Sequence, residues 1–135
     1  MTTIRDLDRL TGTWTVTGGA TGTVTYTWLD GGHFLVQHID LHQNGQHVTG
    51  IEIIGHHRPF GAEQADPDVT SRFYGRDGET LDYVYDIDGD TLTIWGGHRG
   101  SPARYRADFD AEGTTLSGEW VWPGGSYRAT QTRVR

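Results

Sequence analysis

Seven glycine-centred turn signals punctuate this chain: Gly18-Gly19-Ala20, Asp30-Gly31-Gly32, Asn44-Gly45, Asp77-Gly78, Asp88-Gly89, Glu112-Gly113 and Gly124-Gly125. Between them the residues alternate with period two. Thr13 to Thr17 and Thr21 to Trp28 are the clearest runs, with threonine on one side and Trp14, Val16, Val24, Tyr26 and Trp28 on the other. Alternation of that kind is the mark of half-buried strands, and Asn-Gly or Asp-Gly between two such runs marks a hairpin. The pattern predicts ten strands, at about 12–18, 20–29, 33–42, 47–57, 69–74, 80–87, 91–95, 103–110, 115–122 and 126–134. Helical spacing occurs once, where Ile4, Leu7 and Leu10 share a face over residues 3–10 before Gly12 ends the run.

Turn lengths set the register of each hairpin, and register decides which residues face inward. A two-residue Asn44-Gly45 turn pairs Val36 with Ile53, His38 with Ile51 and Asp40 with Thr49. A three-residue turn over Asp30 to Gly32 sets Trp28 beside Phe34 and Tyr26 beside Val36. The turns at Asp88-Gly89, Glu112-Gly113 and Gly124-Gly125 pair Tyr85 with Leu92, Tyr105 with Trp120, and Trp122 with Tyr127. Bulky residues then share one face. The Asp77-Gly78 turn is the exception, because it sends Arg72 inward; a bulge would reverse that.

Ten sequential antiparallel strands in 135 residues are expected to close into an up-and-down barrel, since closure removes exposed strand edges. The whole chain, 1–135, is then one all-β domain with a short N-terminal helix. About eight strands already leave room for a small ligand, so ten imply a cavity. Nine inward residues are expected to contact a bound molecule: Tyr26, Trp28, Val36, His38, Tyr85, Tyr105, Trp120, Trp122 and Tyr127. Their stacking faces and phenol or indole donors suit an aromatic or polycyclic ligand.

Composition narrows the function classes. Eleven arginines, no lysine and 18 acidic residues give a net charge of −7, which disfavours nucleic acid and anionic membranes as partners. The absence of cysteine excludes disulfides, thiolate nucleophiles and cysteine-ligated metals. No apolar run approaches a membrane span of about 20 residues, and the first residues do not read as a signal peptide. A cytoplasmic protein is expected.

The opening Leu10-Thr11-Gly12-Thr13-Trp14 resembles the start of lipocalin-like (calycin) barrels. Leu29-Asp30-Gly31-Gly32-His33-Phe34-Leu35-Val36 looks like the glycine turn and following strand of small bacterial barrels of that superfamily. Those barrels form a domain of unknown function, related in shape to nitrobindins and fatty-acid-binding proteins. The resemblance implies a lipocalin-like barrel that holds a small lipophilic ligand, or in a minority of members an enzyme. Nitrobindin-like members hold haem through a histidine late in the chain; here no histidine follows His98.

Binding of a small hydrophobic or aromatic molecule is therefore the leading expectation. The first alternative is a cofactor-free cyclase or isomerase in the same cavity. There His38 and Asp40, two apart on one strand, would be the catalytic pair moving protons. A haem or metal carrier is the third. His38, Asp40, His42 and His47 fall on one face and offer a two-His-one-carboxylate set, but they flank an exposed turn, so neither a metal nor a cofactor is expected. His33, His56 and His57 are read as surface or loop anchors. The helix should plug one end of the barrel. The other should open near Asp40, His42, His98, Arg99, Trp122 and Tyr127, with the 96–102 loop as a lid. Leu35, Ile39, Leu41, Val48 and Ile54 would then line the outside of the third and fourth strands, an apolar patch that suggests a homodimer.

Overall fold

A computed structural model describes residues 1–135. Ten antiparallel strands form one closed barrel: β1 (Gly12–Gly18), β2 (Thr21–Trp28), β3 (Phe34–Gln43), β4 (Gln46–Gly55), β5 (Val69–Gly75), β6 (Thr80–Asp88), β7 (Thr91–Gly96), β8 (Arg104–Phe109), β9 (Thr115–Trp122) and β10 (Gly125–Arg133). Each strand pairs with its neighbours in sequence, and β1 closes the ring on β10 through pairs such as Trp14 with Arg133. Closure leaves no strand edge free. No helix is long and apolar enough to cross a membrane.

The N-terminal segment Ile4–Leu10 is a 3-10 helix. Its apolar residues recur every third position, and a 3-10 helix eclipses residues three apart, so Ile4, Leu7 and Leu10 form one buried stripe. Asp6 holds the start by accepting the Thr3 N–H at 2.8 Å. The helix seals one end of the barrel. Leu7 and Leu10 are fully buried, the Trp14 indole N–H donates to the Leu10 carbonyl at 2.8 Å, and the Trp28 indole donates to Asp8 at 2.8 Å. Arg133 locks the seal. Its guanidinium lies 4.3 Å from the centre of the Trp14 ring and donates to the carbonyls of Arg9, Thr11 and Gly113. His56 ties down the 56–68 connection at the same end. Its Nε2 accepts the Ile4 N–H, so Nδ1 carries the proton and donates to the carbonyls of Asp66 and Asp68.

Four hairpins depart from the registers expected of them. The turns before β7 and β10 sit at Gly89-Asp90 and Pro123-Gly124, pairing Tyr85 with Ile94 and Trp120 with Tyr127. Those are shifts of two residues, which leave every side chain on its expected face. The other two are shifts of one, which invert a strand. Between β2 and β3 the connection has four residues, because His33 joins the turn: the Leu29 N–H donates to the Phe34 carbonyl at 2.8 Å, with Gly31 and Gly32 both at positive φ. Trp28 therefore pairs with Leu35 and Tyr26 with Gln37. The β3–β4 turn is as expected, with Asn44 and Gly45 both at positive φ as a type I′ turn requires. The inversion is thus handed on intact to β4. Between β5 and β6 the Gly75 N–H donates to the Glu79 carbonyl, closing a three-residue turn. Phe73 points inward and Arg72 outward, where it meets Asp82 at 2.7 Å.

The inversion removes the expected dimer surface. Leu35 and Ile54 are fully buried in the barrel, and Ile39, Leu41 and Val48 line its cavity. The outer wall of β3 and β4 instead carries polar residues such as His38, Asp40, His42, His47 and Thr49 alongside Val36, Ile51 and Ile53.

Candidate functional site

The barrel holds a cavity of about 490 Å³ that opens at the end opposite the helix. Three causes combine to leave the space. Ten strands set a wide bore, the helix fills only one end, and the wall around the centre carries small side chains. Gly118 and Ala107 pair directly across β9 and β8, and Gly118 also faces Ala129. A side chain at Gly118 would meet the Arg106 carbonyl at 2.0 Å, so that position is confined to glycine. Trp120 stands beside this gap, half-buried, its ring 5.3 Å from that of Tyr105 and 5.9 Å from that of Tyr83. Trp122 and Tyr127 meet edge-on at 6.0 Å nearer the mouth, where Trp122 is 39% exposed.

Six of the nine expected contact residues line this cavity: Tyr26, Tyr85, Tyr105, Trp120, Trp122 and Tyr127. The other three do not. Trp28 points into the barrel but at the sealed end, held by Asp8 and stacked under Arg5 at 4.8 Å. Val36 and His38 are on the outer wall, as is Asp40, because of the one-residue shift between β2 and β3. The expected pair of His38 and Asp40 therefore has no access to the cavity. Asp40 instead bonds His47 at 2.7 Å on the exposed surface.

Glu52 is the acid buried in the barrel wall. It is only 6% exposed, lies on β4 opposite Gln37 and Phe73, and faces the cavity. The Tyr85 hydroxyl donates a hydrogen bond to its Oε2. Ser71 Oγ, also buried, is close enough to favour the carboxylate but has no hydrogen bond of ordinary geometry. Burial pushes the Glu52 carboxyl above its usual range, and the Tyr85 hydrogen bond offsets part of that rise. The phenols around it shift the same way. Burial, with the Glu52 charge second, raises Tyr26, Tyr83 and Tyr85, while burial lifts Tyr105 to about 12. All four thus remain neutral hydrogen-bond donors near neutral pH. A buried carboxyl beside a phenol can hold a polar group of a ligand, pair with a cation, or pass a proton.

Glu52 escapes a reading of the sequence because the expected three-residue turn before β3 places it on the outer wall. The one signal available was its setting. A lone Glu within Ile51-Glu52-Ile53-Ile54 does not say which face is wet, since apolar residues flank it on both sides. Gln37, Gln43 and Gln131 join the lining for the same kind of reason: polar residues inside a cavity break the simple in–out rule.

Outside the cavity, Asp40, His42 and His47 offer three ligand atoms within 4.8 Å of one another, all exposed. The two imidazoles stack at 4.3 Å and 8°, and Arg76 approaches His47 Nδ1 at 3.3 Å. Those are the residues of this chain that could hold a divalent ion. The 96–102 loop does not cover the mouth. It turns down the outer wall, where Arg99 lies over Trp95 at 5.0 Å and bonds Asp68 at 3.0 Å. No protein-family model matches this chain, and no curated protein is similar to it.

Proposed function

We propose that this chain is a calycin-like barrel that binds a small apolar or aromatic molecule in its cavity. The observation that carries the reading is a cavity of about 490 Å³, open at one end and walled by tyrosine, tryptophan and aliphatic side chains. That volume falls within the range of about 300–1,000 Å³ usual for small-molecule sites, and an aromatic wall with a few polar groups is their usual chemistry. A barrel that merely packed its core would have no reason to leave Trp120 and Tyr127 half-exposed beside open space. The cysteine-free composition is compatible with a cytoplasmic setting.

Titration with Nile red, a neutral aromatic dye, tests the reading. Binding should raise dye emission and quench the tryptophans with a saturable profile. Trp120→Glu should abolish it and Thr23→Ala, on the outer wall, should not. Circular dichroism on each variant separates loss of the site from loss of the fold. Absence of saturable binding by the folded wild type would overturn the proposal.

A second reading adds chemistry to the same cavity, and the buried Glu52–Tyr85 pair favours it. An enzyme using that carboxyl as its base would lose roughly 100-fold or more in rate on Glu52→Gln, with little loss of binding. The carrier of haem through histidine has no such support, since none of the histidines lines the cavity.

A further inference from the structure

The charge of the ligand can be read from the cavity if that cavity is the binding site. We infer that the barrel selects a compact aromatic or polycyclic cation, such as a protonated amine, over neutral and anionic molecules of the same shape, with Glu52 as its partner. This selectivity rests on the proposed binding function, while the sign of the charge follows from the lining residues themselves.

The lining is one-sided. It holds Glu52 inside and Glu79 at the mouth, and no arginine, lysine or histidine. Every arginine in the chain lies elsewhere: Arg104 and Arg106 on the outer wall, Arg133 committed to the carbonyls of the sealed end. A carboxylate or phosphate entering this space would find no cation and would approach a buried acid, which is repulsive or forces one group to take up a proton. An ammonium entering it finds the reverse. Glu52 receives one hydrogen bond, from Tyr85, and keeps acceptor capacity for more. Gln131, also in the lining, has its Oε1 without any donor. Glu52 and Gln131 Oε1 thus offer a ligand's N–H groups acceptors inside the cavity.

The aromatic wall points the same way. Tyr26, Tyr83, Tyr105 and Trp120 line the same cavity, with Tyr26 and Tyr83 near enough to feel the Glu52 charge, and a cation gains attraction from aromatic faces that a neutral ring does not. The net charge of −7 adds a diffuse pull on cations before they reach the mouth. This diffuse term acts on any cation and survives the loss of one carboxyl, so it can be told apart from pairing with Glu52.

Three matched probes test the inference: 2-naphthylmethylamine, 2-naphthalenemethanol and 2-naphthoate, titrated calorimetrically at pH 7 into wild type, Glu52→Gln and Tyr85→Phe. In wild type the amine should bind about ten- to a hundred-fold more tightly than the alcohol, the range of a charged hydrogen bond. The naphthoate should bind most weakly of the three. Glu52→Gln should erase the advantage of the amine while leaving the alcohol within about twofold. Tyr85→Phe, which keeps the carboxyl, should preserve the order. Equal binding of all three by wild type would overturn the charge inference and leave the pocket standing. Binding of none would overturn both. An amine preference that persists in folded Glu52→Gln would assign it to the diffuse field and also overturn the inference. Should that variant not fold, the wild-type titrations repeated in about 1 M sodium chloride decide: the diffuse field is screened there, so an amine preference that persists supports pairing with buried Glu52 and one that vanishes overturns the inference.

Discussion

Replacing Glu52 with glutamine should remove a stability penalty that the wild-type barrel acquires as pH rises. The carboxyl is buried at 6% exposure, and burial holds its folded pKa above the ordinary 4.5. A raised acid binds its proton more tightly when folded than when unfolded. Its favourable contribution is therefore complete below about pH 4.5 and is lost as pH rises to the folded value. Across that window one proton separates the two states, so stability falls by up to about 1.4 kcal/mol per pH unit. For a urea m-value of about 1–3 kcal/mol/M, that is a midpoint shift of roughly 0.5–1.4 M per unit. The other titratable groups facing Glu52 are the phenols of Tyr26, Tyr83 and Tyr85, all raised, so they stay protonated throughout. Urea unfolding followed by tryptophan fluorescence at pH 4, 5, 6, 7 and 8, on wild type and Glu52→Gln, isolates the contribution as a difference. The variant should gain on the wild type as pH rises from below the ordinary carboxyl value. A difference that stays flat from pH 4 to 8, or that moves the other way, would refute the burial of an ionisable Glu52.

Trp14→Ala should cost about 3–5 kcal/mol in the same assay at pH 7, because the ring is fully buried and carries both the Leu10 hydrogen bond and the Arg133 guanidinium. Asp110→Ala should destabilise the 110–115 turn at neutral pH. The Thr114 hydroxyl and amide and the Thr115 amide hold the Asp110 carboxyl down to about 2, so its contribution is present above its ordinary 3.8 and lost as pH falls toward 2. The gap between wild type and that variant should accordingly narrow in acid. His38→Ala, on the outer wall, should leave Nile red affinity within about twofold, the range for a residue that contacts neither cavity nor ligand.

The number of strands, the single helix, the plugged end and most of the aromatic wall were legible in the chain, because alternation and Asn-Gly or Asp-Gly turns report local geometry directly. What they do not report is the length of a turn that contains two glycines beside a histidine. Gly31, Gly32 and His33 accommodate three or four residues equally well on paper. Backbone hydrogen bonding chooses four, and one residue is enough to turn β3 and β4 over. The same turn packs against the helix, where a side chain at Gly32 would meet the Arg5 guanidinium at 2.7 Å. Tertiary contact of that kind leaves no trace in a local pattern. The hairpins β6–β7, β8–β9 and β9–β10 kept their faces because their turns moved by an even number or not at all, and the one-residue shift between β5 and β6 turned β5 over rather than β6. Tyr85, Tyr105, Trp120 and Tyr127 kept their places, while Glu52 rather than His38 and Asp40 faces the cavity.

The proposed binding in the cavity and the inverted β3–β4 pair meet in one measurement. Amide and tryptophan indole chemical shifts of labelled protein should be mapped during titration with 2-naphthalenemethanol. The expected outcome is saturable shifts at Glu52, Tyr85, Tyr105, Trp120 and Gln37, with His38, Asp40 and His42 unmoved. Shifts centred on His38 and Asp40, or none that saturate at the cavity residues, would contradict it.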